Sequence, residues 1–286
     1  MLSKLKKTMA LFLAMCLILV VALVVTACVF IAQQPSRLPR TIWTYWNSEE
    51  LPYVIKYCIS TWKTHNKDHD IVLLTDANIK RYLPGFEPSQ FRHADSPARV
   101  SDCIRLNILS QYGGIWMDAS IICNKPLEWV HQELLRGKEF FGYYLDEFTT
   151  NPQYPVIESW FFACIPKSKF VKSWRDAFMK MNSYESVEDY IEALKSSGVD
   201  PQRISIDMQT YLAIHMAAQY VMQVEHYPTQ KMAFKKAEDG PFLFLVQNGW
   251  DSDKAVTDIL QGKVHTDLVK LRKDDREILE KNLKHL

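Results

Sequence analysis

The chain has 286 residues, and 34 Lys and Arg stand against 33 Asp and Glu for a formal net charge of +1. That balance excludes the basic footprint of a nucleic-acid binder and offers no polybasic or acidic partner surface. Six cysteines with no C-x-x-C pair exclude a zinc ribbon.

Residues 9–32, MALFLAMCLILVVALVVTACVFIA, carry no charge and exceed the roughly 20 apolar residues needed to cross a bilayer as a helix. A cleaved signal peptide has a shorter apolar core of about 7 to 15 residues, so the run predicts an uncleaved anchor in a lipid bilayer. Lys4, Lys6 and Lys7 precede it and only Arg37 and Arg40 follow closely, which places the short end in the cytoplasm. Residues 1–8 then form a cytoplasmic tail, 9–32 a signal anchor and 33–37 a stem. Residues 38–286 are long enough for one domain with a full core.

Thr41 to Trp46 is aromatic and β-branched and reads as the first strand, followed by a helix over Tyr53–His65. Asp70 to Asp76 is a second buried strand, and Ala77–Tyr82 a short helix. This alternation predicts parallel βαβ units. Later segments read as strands at Phe140–Leu145 and Trp160–Ile165, then helices over roughly 168–181, 186–196 and 205–222. The tail Arg272–Leu286 mixes charges at helical spacing, which predicts a solvated surface helix. Cys58, Cys103, Cys123 and Cys164 allow two disulfides, or serve as small buried hydrophobes.

The most informative stretch is Pro97–Ile122, PARVSDCIRLNILSQYGGIWMDASII. Asp95 and Ser96 are capping candidates ahead of Pro97, and Val100, Ile104 and Ile108 make an apolar helix face. Gly113 and Gly114 end that helix, and Ile115-Trp116-Met117 resumes as a strand with Asp118 at its exit. Open α/β sheets place ligands at such strand ends. Asp102 and Arg105, three apart, share a helix face and can act as a pair.

The pattern S-D-x-x-R followed by L-x-x-Y-G-G-x-W-x-D-A-S resembles the glycosyltransferases of the capsular polysaccharide synthesis family, which are related to the DXD-motif sugar transferases. The likeness extends upstream to Leu38–Trp46 and Cys58–Asn66 and downstream to Glu158–Phe162. It implies an α/β type A glycosyltransferase fold: a Rossmann-like, nucleotide-sugar-binding domain with a mostly parallel sheet flanked by helices, preceded by one transmembrane helix. It also implies transfer of a hexose from a nucleotide-sugar donor, UDP-linked first and GDP-linked next, to a glycan or polysaccharide acceptor with retention of configuration. The anchor then predicts a single-pass type II protein of the Golgi or another secretory membrane, with the bacterial inner membrane as the alternative.

The departing diphosphate builds negative charge, which a divalent ion neutralises in the DXD enzymes. Through the resemblance, Asp118 holds Mn2+ or Mg2+. Ser120 stands at the last acidic position of the motif, where a hydroxyl can still bind a hard ion. Asn248-Gly249-Trp250 and Gly262-Lys263-Val264-His265 resemble closing loops, which implies His265 as a further metal ligand. Asp102 and Arg105 would contact donor hydroxyls; on periodicity alone they are equally a surface ion pair worth about 0.3 kcal/mol. Trp43 and Tyr45 are candidates to stack on the base, Asp76 to contact base or ribose, and Ser101 and Gly114 to line the donor site. Glu158, Ser159, Asp207 and Trp250 are candidate sugar or acceptor contacts.

No Ser/His/Asp arrangement, P-loop or G-x-G-x-x-G occurs, which excludes the common hydrolase, kinase and nicotinamide signatures. The alternative from another class is a catalytically silent member of the fold, a membrane-tethered carbohydrate-binding or scaffolding protein in which the missing second acidic residue reports lost metal chemistry.

Overall fold

The computed structural model describes Met15, Leu17 and residues 19–22, 37–135 and 137–284, in two units, Met1–Ser36 and Arg37–Leu286. In the first, the described residues are helical, and Met15, Leu17, Leu19, Val20 and Val21 expose their apolar side chains. The rest of the expected anchor lies outside the described residues. Among the described residues no helix is long and apolar enough to cross a membrane.

In the second unit, β1 (Thr41–Tyr45), α1 (Tyr53–His65), β2 (Asp70–Leu74) and α2 (Ile79–Tyr82) form the expected βαβα start. There follow α3 (Pro97–Tyr112), β3 (Gly114–Met117), β4 (Ile121–Cys123), α4 (Glu128–Leu134), β5 (Phe140–Leu145) and β6 (Val156–Cys164). The remainder is α5 (Lys169–Met179), α6 (Val187–Ser196), α7 (Ile206–Gln209), α8 (Ala213–Gln223), β7 (Met232–Lys236), α9 (Leu243–Gln247), α10 (Ser252–Leu260), β8 (Leu268–Lys270) and α11 (Lys273–Leu283).

The main sheet has the order β2-β1-β3-β6-β5-β7, and β4 pairs with β8 in a small separate ladder. β1 runs parallel to β2 and β3, and β5 parallel to β7, while β6 opposes both of its neighbours. The sheet is therefore mostly parallel, as expected. Successive strand residues point to opposite faces, so the pairs Ile42/Trp43, Ile115/Trp116, Phe140/Phe141 and Phe161/Phe162 divide between two hydrophobic cores, one on each face. Near-continuous apolar strands follow from burial on both faces.

Ser96, not Asp95, caps α3, its Oγ accepting from the Arg99 amide. The helix ends at Gly113, φ +65°, and the strand starts at Gly114, φ +101°. A Cβ on Gly114 would lie 2.7 Å from the Thr41 carbonyl oxygen and 3.0 Å from Trp43 Nε1. Gly114 is thus the residue that lets β3 approach β1, and not a donor contact.

Three expectations are corrected. The helix expected over 205–222 is two helices broken at Thr210–Leu212. The tail helix is not merely solvated: Asp275 and Leu279 are buried, and Glu280 accepts from the Val54 amide at 2.7 Å, tying α11 to the start of α1. Cys58, Cys103, Cys123 and Cys164 are all free and buried, so they pack as small hydrophobes, and no disulfide joins the described residues.

Candidate active site

The parallel strands β1, β2 and β3 finish at one edge, with Tyr45, Asp76 and Asp118 at or just beyond their ends. Because β6 is antiparallel, with Met117 opposite Phe161, its early residues Glu158 and Ser159 arrive at the same edge. The Asp118 amide donates to the Trp160 carbonyl at 2.9 Å, and a turn closes from Asp118 to Ile121 at 3.1 Å. Two adjoining cavities of about 590 and 540 Å3 open there and share Ala98, Arg105, Asp118, Tyr211, Lys270 and Arg272. That size suits a small ligand.

Arg105 organises the floor. One guanidinium nitrogen lies 3.1 Å from Asp102 and donates to Ser159 Oγ at 2.6 Å. The other donates to Ser101 Oγ at 2.9 Å and to Asp118 Oδ1 at 3.2 Å. The guanidinium also sits 5.3 Å from the centre of the Trp116 ring, a cation–π contact. Asp102, Arg105 and Asp118, with Ser101 and Ser159, are therefore one cluster, assembled from α3, the end of β3 and β6.

Burial raises the Asp102 carboxyl above its ordinary range, against the pull of Arg105 and, more weakly, His215 and Arg99. For Asp118 burial is again the largest single influence and raises, but Lys270 and Arg105, with hydrogen bonds from Trp116 and Lys270, outweigh it and hold the carboxyl low. Asp118 is an anion braced by two cations, and a poor proton acceptor. Deeper in the larger cavity, Glu158 and His215 are both buried and paired at 3.3 Å. Among the described residues Arg105 Nε, Trp160 Nε1 and His215 Nδ1 are buried without a hydrogen-bond partner, and all three residues line this cavity. Polar nitrogens left so are suited to the hydroxyls of a ligand.

Trp250 lines the larger cavity, with its ring 5.8 Å from Phe242 and 5.5 Å from the Arg272 guanidinium. Tyr45 donates to Asp76 Oδ1 at 2.6 Å, and both line a neighbouring cavity of about 240 Å3. Burial, then the Asp76 hydrogen bond, pushes the Tyr45 hydroxyl well above its ordinary value.

Other expected residues are elsewhere. Trp43 is buried behind the sheet, donating to the Gly113 carbonyl at 3.0 Å and packing on Tyr82 and Tyr112, so it is core and not a base platform. Asp207 is exposed in the first turn of α7 and lines none of these cavities, whereas its neighbours Met208 and Tyr211 do. His265 is exposed beyond the start of β8, where Asn124 bonds Thr266 and Asp267 at the far end of β4 from Asp118.

The residue from this segment that does reach the site is Lys270. Its ammonium donates to Asp118 Oδ2 at 3.0 Å and to Ser120 Oγ at 2.9 Å. The two oxygens expected to hold Mn2+ or Mg2+ thus hold a lysine, and the expected third ligand is remote. Among the described residues no three His, Cys, Asp or Glu side chains gather so as to hold a metal ion. One carboxylate, one hydroxyl and an ammonium do not fit a divalent cation, which takes oxygen ligands and is repelled by a fixed positive charge. Sequence reasoning missed Lys270, His215 and Arg272. The signal available for Lys270 was the run of cations Lys270, Arg272 and Lys273 that follows the apolar Leu268-Val269, close to the segment singled out for His265.

Comparison with known proteins agrees with the motif. The model of a family described as capsular polysaccharide synthesis protein matches residues 27–193. Two curated relatives come from Schizosaccharomyces pombe. Inositol phosphoceramide mannosyltransferase 1 is 27% identical over 132 residues, 43% of this chain and 41% of that protein. Inositol phosphoceramide mannosyltransferase 3 is 29% identical over 104 residues, 34% of this chain and 28% of that protein. The matches thus span about two fifths or less of these relatives' length. Among solved structures, a glycosyltransferase involved in glycosylation of the major capsid of PBCV-1 is similar with a TM-score of 0.45 and 9% identity, covering 85% of this chain and 98% of that one. The UDP-bound glycosyltransferase domain from the YGT toxin has a TM-score of 0.43 and 11% identity, covering 86% and 94%.

Proposed function

The chain belongs to the capsular polysaccharide synthesis family, and from that premise we propose that it is a membrane-anchored glycosyltransferase moving a hexose from a nucleotide-sugar donor to a glycan-type acceptor. The observation that carries this reading is the pair of adjoining cavities joined at Arg105 and Asp118, one lined by Asp102 and unpartnered buried nitrogens and the other by a basic segment. A carboxylate beside a planar guanidinium suits the several hydroxyls of a hexose, and cations suit a diphosphate.

In this reading Asp102 and Arg105 orient the donor sugar, and the Tyr45–Asp76 pair borders the nucleoside. Asp118 fixes the positions of Arg105 and Lys270 between sugar and diphosphate. The C1–O bond to the diphosphate breaks with its electron pair going to the departing oxygen. The acceptor hydroxyl oxygen bonds to C1 on the same face, and its proton passes to the departing diphosphate, which retains the anomeric configuration. No side chain is assigned as nucleophile, because Asp118 already accepts from Arg105, Trp116 and Lys270. Glu158, His215 and Trp250 line the part of the larger cavity where the acceptor would lie.

The names of the two curated relatives make mannose the first sugar to test, hence GDP-mannose ahead of the UDP-sugars, and inositol phosphoceramide the first acceptor beside free glycans. Residues 9–32 would anchor the enzyme as a type II protein of a secretory membrane, a reading supported by their lack of charge and by the exposed apolar side chains of the described part. A silent, carbohydrate-binding member of the fold is the second reading, favoured by the neutralisation of Asp118 by Lys270. The test is transfer and donor hydrolysis by the purified chain across GDP- and UDP-sugars, with Asp102→Asn alongside. Turnover of one donor, lost in the variant, supports the enzyme. Saturable donor binding with no turnover on any acceptor supports the silent member.

A further inference from the structure

Lys270 is built into the site and is not a surface lysine that happens to reach it. Its strand β8 pairs antiparallel with β4, with Ile121 opposite Lys270, and the next amide, Leu271, donates to the Ser120 carbonyl at 3.1 Å. The Lys270 amide is itself taken by the Pro241 carbonyl at 3.0 Å. The backbone is therefore clamped directly beside the Asp118–Ser120 turn, and the side chain is only 13% exposed. Both carboxylate oxygens of Asp118 are engaged, one by Arg105 and Trp116 and the other by Lys270. A divalent ion at this carboxylate would first have to displace the ammonium.

The surroundings of Lys270 point the same way. The 540 Å3 cavity is lined by the cations Arg105, Lys270, Arg272, Lys273 and Arg276 and by Asp118 as its one carboxylate. Arg272 is held by the buried Asp275 at 3.2 Å and by Ser252 at 2.9 Å, and Lys273 is 4.0 Å from Glu277. Even with those partners counted, the segment 270–276 turns a positive face toward the end of β3. A strongly basic, preorganised wall serves phosphate oxygens, and fixed cations there need no reorganisation as charge develops on a leaving group.

Resting on the proposed transferase reading, we propose that Lys270 takes the place of the divalent ion: its ammonium, braced by Asp118 and Ser120 and backed by Arg272, Lys273 and Arg276, neutralises the donor diphosphate and the departing nucleoside diphosphate, so that donor binding and transfer need no metal. When the C1–O bond breaks, the electron pair goes to the diphosphate oxygen and the acceptor hydroxyl supplies both the new bond to C1 and the proton. Lys270 contributes charge and hydrogen bonds and gives up no proton. It is a catalytic residue in the strict sense, since it touches the leaving group.

The experiment is calorimetric binding of GDP and of UDP to the purified 286-residue chain in EDTA and in excess manganese, for wild type, Lys270→Met and Lys270→Arg, with donor turnover measured in the same buffers. The expected result is diphosphate binding and turnover by the wild type in EDTA, unchanged by manganese. Lys270→Met should weaken diphosphate binding about tenfold to a hundredfold and lower kcat by about a hundredfold or more, with Lys270→Arg restoring part of the binding. Wild-type binding that disappears in EDTA and returns with manganese overturns the role of Lys270 while leaving the transferase reading intact. So does a folded Lys270→Met that binds as tightly as wild type. If the methionine variant does not fold, the wild-type comparison in EDTA decides alone. Absence of binding and turnover with every donor in both buffers removes the transferase reading, and this inference with it.

Discussion

Arg105→Ala removes the cation shared by two carboxylates in a cleft where the arginine side chain is only 6% exposed. Among the described residues Asp102 then keeps no side chain within ion-pair distance, since its one such partner there is Arg105 at 3.1 Å. Asp118 retains Lys270 at 3.0 Å. Breaking a buried pair by deleting one partner costs about 3 to 5 kcal/mol, and for a domain of this size each kcal/mol lowers Tm by about 2 to 4 °C. The expected loss is therefore roughly 6 to 20 °C. The pH dependence has a definite sign. Asp102 is held above its ordinary value chiefly by burial, with Arg105 the foremost opposing influence, so removing Arg105 raises it further. A carboxyl raised in the folded state contributes stability that is present below its unfolded pKa and lost as pH rises through the folded one. Asp118 is held low by Lys270 and Arg105 against burial, and its contribution, present above the unfolded pKa, shrinks when Arg105 goes. Both effects deepen the deficit of the variant between about pH 4 and about pH 7. Thermal melts followed by circular dichroism at those two pH values test this, with Arg105→Lys recovering only part because an ammonium cannot reproduce the fork. A variant within about 2 °C of wild type at both pH values would refute the claim that Arg105 compensates these buried charges.

Gly114→Ala should lower the denaturant midpoint by the equivalent of at least about 1 to 3 kcal/mol, because φ is +101° and the new Cβ would meet the Thr41 carbonyl at 2.7 Å; an unchanged midpoint would contradict the close approach of β1 and β3. Cys58, Cys103, Cys123 and Cys164 are buried, and burial pushes the Cys58 and Cys103 thiols up to about 12. All four should resist maleimide in the native chain at pH 8 and label fully in denaturant without reductant, as peptide mapping would read; denaturant labelling that needed reductant would reveal a disulfide. Tyr45→Phe removes the 2.6 Å bond to Asp76. It should raise KM for the donor about threefold to tenfold, about 1 kcal/mol, with kcat little changed; a fall in kcat at constant KM would move Tyr45 from nucleoside binding to the chemical step.

The segment from Ser96 to Asp118 was legible because everything that shapes it is local. The Ser96 cap, Pro97 at the first helical position, the apolar spacing of α3 and two glycines with positive φ specify helix, turn and strand without reference to the rest of the chain. The charged pair Asp102 and Arg105 could be placed on one helix face by spacing alone, and the structure keeps them 3.1 Å apart. Strands β1, β2 and β5 were equally readable from apolar, β-branched and aromatic runs. The short strands β4, β7 and β8 and the helices α9 and α10 were not, since three to nine residues of mixed polarity carry too little periodicity. Trp43 was misplaced as a ligand contact because alternation tells which residues share a face, not which face the helices cover.

By itself the sequence determined the α/β alternation, the strand-end carboxylate and the family motif, all of which follow from residues within a few turns of one another. Only the tertiary structure decided what surrounds that carboxylate. Lys270 stands 152 residues from Asp118 and reaches it through the pairing of β4 with β8, while Ser159 and Glu158 arrive because β6 runs against the sheet. Strand pairing is a long-range choice settled by packing of the whole core, so a cation that answers a carboxylate across it leaves no periodic trace along the chain.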